Sequence, residues 1–298
     1  MRYDIVLTID YSYQSASDHV RNILRLLPQS GPHQSVSAAF LTIDPPPSER
    51  RDGLDFFGNA TASVAWHQPV QKITFCLTAK AERFTPPAAD LSPPLADLAE
   101  LVTAARDLGP AGPQNYLAPS PRIAPVPEIT AFVRKALPDG AANPISTPIS
   151  TRAAIEAVGQ ALHDTMTYDA EATDVATPPA EAFAARRGVC QDYAQIMVAG
   201  LRALGVPAGY VSGFLRTYPP PGQPRLEGVD AMHAWVMAWA GPVQGWVEYD
   251  PTNAQWAGED YITVAIGRDY ADAAPVKGAV RTAGGQDTTQ AVDVIPLD

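Results

Sequence analysis

Residues 2–10 alternate Tyr3, Ile5, Leu7 and Ile9 against Arg2, Asp4, Thr8 and Asp10, the period-2 pattern of a strand with one buried face. Residues 35–43, 62–67 and 70–79 are rich in Val, Ile, Thr and aromatics, with the turn-forming Phe57-Gly58-Asn59 between two of them. Strands with no helical pattern between them predict an antiparallel, sandwich-like β domain over residues 1–85. From Ser92 the period becomes helical. Ser92 is placed as N-cap, Pro93 as the first helical residue, and Leu95, Leu98, Val102 and Ala105 share a face until Gly109-Pro110. A second helix is expected over 128–137 and a third over 151–166, where Ile155, Val158, Leu162 and Met166 align. Residues 86–145 thus read as a helical, Pro-rich connector.

The next helix, residues 190–204, is stopped by Gly205 with Pro207 just beyond. It opens on Cys190, where unpaired N–H groups and the positive end of the dipole favour a thiolate and an oxyanion. Strands are predicted at 208–217, 231–240, 244–250 and 261–266. In the second of these, His233, Trp235, Met237 and Trp239 share one face, and Met232, Ala234, Val236 and Ala238 the other, so both faces look covered. Folding the following strand back across Gly241–Gly245 sets Trp239 near Trp246, and either Trp235 or His233 near Asp250. Both registers keep His233 and Asp250 on one face, because they differ by two residues. The expected class is α+β, with a core at 146–278 and a tail at 279–298.

Composition narrows the function. Hydrophobic residues make up 46% and charged residues 18%, a globular balance, and the net charge of -11 argues against a nucleic-acid surface. No run approaches 18 apolar residues and the first ten alternate like a strand, so a cytoplasmic protein with no membrane association is expected. Two cysteines are too few for a disulfide framework, and Cys76, mid-strand, reads as a small buried hydrophobe. His19, His33, His67 and His163 lack companions at ligand spacing, so no metal and no cofactor is expected.

Cys190, His233 and Asp250 supply a nucleophile, a base and a residue to orient the base. Cysteine needs the base because a free thiol is mostly protonated at neutral pH. The residues alone leave open a plain alternative, in which Cys190 is a buried thiol and His233 a core imidazole. The surrounding segments are more specific. RRGVCQDYAQIMVAGLRALGVPAGYVSGFL, DAMHAWVMAW, GWVEYDPTN and VAIGRDYADAAPVKG, in that order, resemble the bacterial transglutaminase-like superfamily of the cysteine-protease type. YSY, LRLLP and DFFGN resemble that family's N-terminal β domain.

The resemblance implies a papain-like core in which a helix bearing Cys190 packs on an antiparallel sheet carrying His233 and Asp250. It implies a Cys-His-Asp triad that opens an amide through a thioester, on a protein or peptide substrate. Amide hydrolysis is the expected activity; transfer of the acyl group to an amine, or a non-catalytic binding role that keeps the fold, are the alternatives. The Cys190 N–H is one expected oxyanion donor. Papain-like proteases place a Gln six residues before the cysteine, where this chain has Ala184; transglutaminases use an upstream aromatic donor instead, and the resemblance to them makes Tyr168 the candidate for the second donor. Asp192 is expected to anchor the loop before the helix, and Arg268-Asp269-Tyr270 to form a loop at the rim of the site.

Overall fold

A computed structural model describes residues 1–138, 148–218, 228, 230–281 and 284–297; the expected 145/146 boundary lies outside the described residues. The first unit is built on β1 (Arg2–Leu24), far longer than its alternating start suggests. β2 (Gln34–Asp44), β3 (Glu49–Leu54), β4 (Ala60–Trp66) and β5 (Val70–Arg83) follow. β1 serves two sheets. Its first half pairs with β5, which pairs in turn with β2, and its second half pairs with β4, which pairs with β3. The register slips between Ser12 and Ser17, and His19 adopts φ 54, so a bulge lets the strand change sheets and closes an antiparallel sandwich. β3 escaped the sequence pattern because all six of its residues are exposed and carry no alternation.

The helical region begins later than its composition suggests. A 3-10 turn at Leu95–Asp97 leads into α1 (Leu98–Ala104), and Ser92 is not its cap. Pro93 and Pro94 hold Ser92 and Pro93 extended, so the helix starts only beyond the second proline. Ser92 Oγ accepts instead from Arg152 N–H in the first turn of the third helix. α2 (Pro127–Ala136), α3 (Thr151–Thr165), β6 (Thr167–Tyr168), α4 (Pro179–Ala185), β7 (Arg187–Gly188) and α5 (Cys190–Ala203) follow. Leu98, Val102, Ile129 and Val133 share one buried cluster with α3 and α5, so the stretch expected as a connector is part of the core's helical layer. Gln191 through Leu201 are all buried. α5 is therefore a central helix, surrounded by α2, α3, α4 and a sheet.

That sheet runs β11-β10-β9-β8-β12, from β8 (Ala208–Leu215), β9 (Ala231–Trp239), β10 (Trp246–Asp250), β11 (Gln255–Trp256) and β12 (Tyr261–Gly267). Ala234, Val236 and Ala238 face the helices, while Trp235 and Met237 join Tyr116, Val211, Ala257 and Tyr261 in a second small core. Gly205, at φ 81, ends α5 and turns the chain into β8.

After α6 (Tyr270–Ala273), residues expected as a tail return to the first unit. β13 (Val276–Arg281) pairs with the second half of β1, and β14 (Gln286–Pro296) pairs with its first half from Tyr3↔Pro296 to Tyr13↔Gln286. The β unit is thus completed by the chain's far end. It grips the core at the edge strand β12, where side-chain amides stand in for a neighbouring strand. Gln34 bonds both Thr263 N–H (2.9 Å) and Thr263 C=O (2.8 Å), and Asn59 bonds both Ile266 N–H (2.8 Å) and Ile266 C=O (2.7 Å). Buried Arg83 adds an ion pair to Glu248 of β10 at 2.8 Å.

Candidate active site

α5 starts at Cys190 because the chain before it is pinned. Val189 is extended, and the Asp192 carboxylate accepts its N–H at 2.8 Å, reaching back from the third helical position. The same oxygen accepts from Thr173 Oγ1 at 2.6 Å. Asp192 is fully buried and its other oxygen has no hydrogen-bond partner; burial raises its carboxyl pKa against the lowering effect of the two bonds. Gly188 is packed on it so closely that a Cβ there would lie 2.5 Å from Asp192 Oδ2. Asp192 therefore anchors the loop that presents Cys190.

β9 and β10 pair in the register Trp239↔Trp246 to Val236↔Tyr249, which continues to Trp235 opposite Asp250 and leaves His233 one step along the same face. The imidazole reaches across that diagonal, and Nε2 lies 2.7 Å from Asp250 Oδ2. Asp250 has no exposed surface. Its Oδ1 accepts Thr252 N–H (2.8 Å) and Asn253 N–H (3.2 Å), and its Oδ2 also accepts Tyr261 O–H and Asn253 Nδ2–H, both at 2.7 Å. Burial opposes ionisation of this carboxyl, but His233 and the other donors outweigh it and hold the pKa below the ordinary value.

Nε2 is committed to Asp250, which leaves Nδ1 as the free ring nitrogen, and Cys190 lines the same cleft as the imidazole and helps to raise its pKa. Burial disfavours the imidazolium, yet the bonds to Asp250 and Cys190 and their charges override it and push the His233 pKa up to about 10. Trp235, completely buried, stacks on the imidazole with ring centroids 6.2 Å apart and donates its indole N–H to Glu248 at 3.0 Å. Trp239 is also core, whereas Trp246 is half-buried and donates to Ala111 C=O.

Tyr168 is carried to the same place by a parallel pairing of β6 with β7 that sets Tyr168 against Gly188, two residues before Cys190. Its side chain is 57% exposed, and partial desolvation together with the charge of Cys190 raises its pKa. The sulfur sits in a cleft of about 250 Å³ whose lining includes Val189, Gln191, Tyr210, Ser212, Met232 and Tyr270. Ile9, Tyr11, Thr288 and Gln290 of the β unit line it too. Asp269 is fully buried and caps α6, accepting from Ala271 N–H and Arg122 N–H, and so holds Tyr270 at the rim.

Sequence reasoning missed two partners of Asp250. Asn253 carries a local signal, since an Asp followed three residues later by Asn in Asp-Pro-Thr-Asn forms a side-chain turn. Tyr261 carries none, because it reaches Asp250 from another strand. Cys76 is not buried as expected. It lies on the outward face of β5 between the core residues Phe75 and Leu77 and is half-exposed. Arg186 lays its guanidinium 3.7 Å from the centre of the Phe183 ring. Among the described residues no three His, Cys, Asp or Glu side chains cluster as metal ligands, and no helix is long and apolar enough to cross a membrane.

Residues 138–251 match the family described as the Transglutaminase-like superfamily, and residues 3–82 match the Bacterial transglutaminase-like N-terminal region. An uncharacterized protein of Mycobacterium tuberculosis is 33% identical over 307 residues, spanning 100% of this chain and 93% of its own. The chain belongs to the transglutaminase-like superfamily. The segment matched to the superfamily contains Cys190, His233 and Asp250. A solved Cytophaga hutchinsonii protein described as "a Putative Cysteine Protease" has the same fold, with a TM-score of 0.73 at 19% identity over 100% of this chain and 91% of that one. The transglutaminase-like core and its β unit therefore recur together. A protein-glutamine gamma-glutamyltransferase of Pseudomonas aeruginosa matches over a shorter stretch, 42% identical over 71 residues, which is 24% of this chain and 10% of that protein.

Proposed function

We propose that this protein is a cysteine-dependent amide-bond hydrolase acting on protein or peptide substrates through a thioester on Cys190. What supports the reading is one buried imidazole 2.7 Å from a buried carboxylate, in a cleft that it shares with a thiol on the first turn of a helix. His233, with Nδ1 toward Cys190, takes the thiol proton. The thiolate attacks the amide carbonyl, and the oxyanion is met by the Cys190 N–H, which has no partner within the helix, and by the Tyr168 hydroxyl. The His233 imidazolium then protonates the departing amine and a thioester remains. His233 next takes a proton from water, the hydroxide attacks the thioester, and the acid leaves as the thiol is restored. Asp250 holds the ring with Nε2–H toward itself, the tautomer in which Nδ1 is free to accept.

Water is the acceptor that an open cleft supplies without a second binding site, which puts hydrolysis first. Transfer to an amine is the second reading, favoured by the 71-residue match to a protein-glutamine gamma-glutamyltransferase. Iodoacetamide labelling followed by mass spectrometry tests the shared chemistry, with Cys76, which has no hydrogen-bonded imidazole, as the internal reference. Cys190 is expected to react rapidly below pH 7, and His233→Ala to remove the advantage by about 10²-fold or more. Equal, slow labelling of both cysteines would leave a non-catalytic binding protein as the better account. Following ammonia release and amine incorporation from one amide substrate separates the two acceptors, and dominant incorporation at modest amine concentration reverses their order.

A further inference from the structure

The cleft at Cys190 is shared between two units of the fold. On the core side it is lined by the first residues of α5 and by β8 and β9, and on the other side by β1 and by β14, the strand contributed by the far end of the chain. The contributing residues are cross-strand pairs in one ladder, Ile9↔Gln290 and Tyr11↔Thr288, so their side chains emerge on a single face. The alternate residues Asp10 and Asp287 are turned to the opposite face by the period of the strand. As a result, no Asp, Glu, Lys or Arg is among the described residues that line the cleft, in a chain that is 18% charged. At about 250 Å³ the cleft is below the usual range for pockets that enclose small-molecule ligands, roughly 300–1,000 Å³. It has room for the reacting part of a substrate, and the remainder lies outside.

We infer that the β unit, through Ile9 and Tyr11 of β1 and Thr288 and Gln290 of β14, forms the selective wall of the acyl-binding cleft and admits amides whose reacting residue carries no charge. This rests on the reading of Cys190 as the attacking group. Apart from His233, which is already paired with Asp250, a charged side chain entering the cleft loses hydration and meets no counter-charge, whereas an apolar or amide side chain meets aromatic, methyl and carboxamide surface. The β unit then has a chemical task in addition to its structural one. Tyr11 limits the size of the entering group, and Thr288 and Gln290 determine its polarity.

The test uses the full chain and three covalent probes, the N-acetyl chloromethyl ketones of leucine, glutamate and lysine. Alkylation rates at Cys190 are read by mass spectrometry and each is divided by the iodoacetamide rate of the same variant and by the probe's rate with free cysteine. The leucine probe is expected to exceed each charged probe by about tenfold or more in the native chain. Thr288→Glu should raise the relative rate of the lysine probe, and Thr288→Arg that of the glutamate probe, each by about tenfold, because a complementary charge then faces the entering group. Gln290→Glu and Gln290→Arg form an independent pair; both positions are exposed on the strand and tolerate substitution without loss of fold. Equal normalised rates for the three probes, or ratios that charges at 288 and 290 leave in place, overturn the inference. A Cys190 no faster than Cys76 toward iodoacetamide defeats the catalytic reading instead, and the probe ratios at Cys190 still decide the selectivity of the cleft.

Discussion

Replacing Asp250 with asparagine changes one atom's chemistry and nothing of the shape, and its consequences follow from the hydrogen-bond inventory. Oδ1 is held by two backbone N–H groups, Thr252 and Asn253, so the amide oxygen of the replacement must take that position. Its NH2 is then driven into the position of Oδ2, where three donors converge: His233 Nε2–H, Tyr261 O–H and Asn253 Nδ2–H. The imidazole can relieve the clash only by shifting its proton to Nδ1. That tautomer presents a donor to Cys190 and accepts no proton from it, so the reactivity of Cys190 toward iodoacetamide should fall by about 10²–10⁴-fold, the range seen when a triad histidine is held in the wrong tautomer.

Stability reports the same event. The rise of the His233 pKa from 6.5 to about 10, set by Asp250 and Cys190 together against burial, corresponds to on the order of 5 kcal/mol of preference for the charged ring. Breaking a buried pair by removing one partner costs about 3–5 kcal/mol. Because His233 lies above its ordinary value, its contribution is fully present below about pH 6.5 and is lost as pH rises through about 10. Because Asp250 lies below its ordinary value, its contribution is present above about pH 3.8 and is lost as pH falls through its lowered folded value. Urea denaturation of the native chain and Asp250→Asn should therefore differ most between pH 4 and 6.5 and converge toward pH 10. Equal stabilities across that range, with Cys190 alkylated at the native rate, would refute the pairing as argued.

Three other changes separate positioning from chemistry. Tyr168→Phe removes a hydroxyl from an exposed ring, so the melting temperature and the iodoacetamide rate should hold while amide turnover falls by about 10- to 10²-fold; a full turnover rate removes Tyr168 from the oxyanion site. Gly188→Ala forces a methyl group against Asp192 Oδ2 and should cost about 1–3 kcal/mol in denaturation while slowing Cys190 alkylation, and an unchanged rate would free Cys190 from the Asp192 bracket. Arg83→Met leaves Glu248, among the described residues, with the Trp235 indole as its one side-chain donor and should cost about 3–5 kcal/mol, most of it recovered when Glu248→Gln is added; additive losses in that double-mutant cycle would mean that the two side chains are not coupled.

What the sequence disclosed and what it withheld divide along one physical line. Cys190 at a helix start, His233 on a strand and Asp250 at the end of the next are fixed by local chemistry: a Gly stop, strand parity and a short turn that sets one hairpin register. Even Asp192 was readable, because its carboxylate acts within three residues of itself. The bulge that lets β1 serve two sheets leaves no local mark, and neither do the amide staples from Gln34 and Asn59 or the bond from Tyr261. The return of β14 to β1 is the extreme case. Its residues 286–290 are exposed and polar, so no apolar alternation announces the first half of the strand, and its partner lies at the opposite end of the chain. Pairing over such a separation is specified by the complementarity of two edges once each has formed, which a window of neighbouring residues does not contain. The consequence falls on function. A reading confined to the core finds a thiol, an imidazole and a carboxylate, whereas Ile9, Tyr11, Thr288 and Gln290 reach the same cleft on strands from both ends of the chain. The places of Cys190, His233 and Asp250 in their elements were legible because they are set locally, and the far wall of the cleft was not because it is assembled by the tertiary fold.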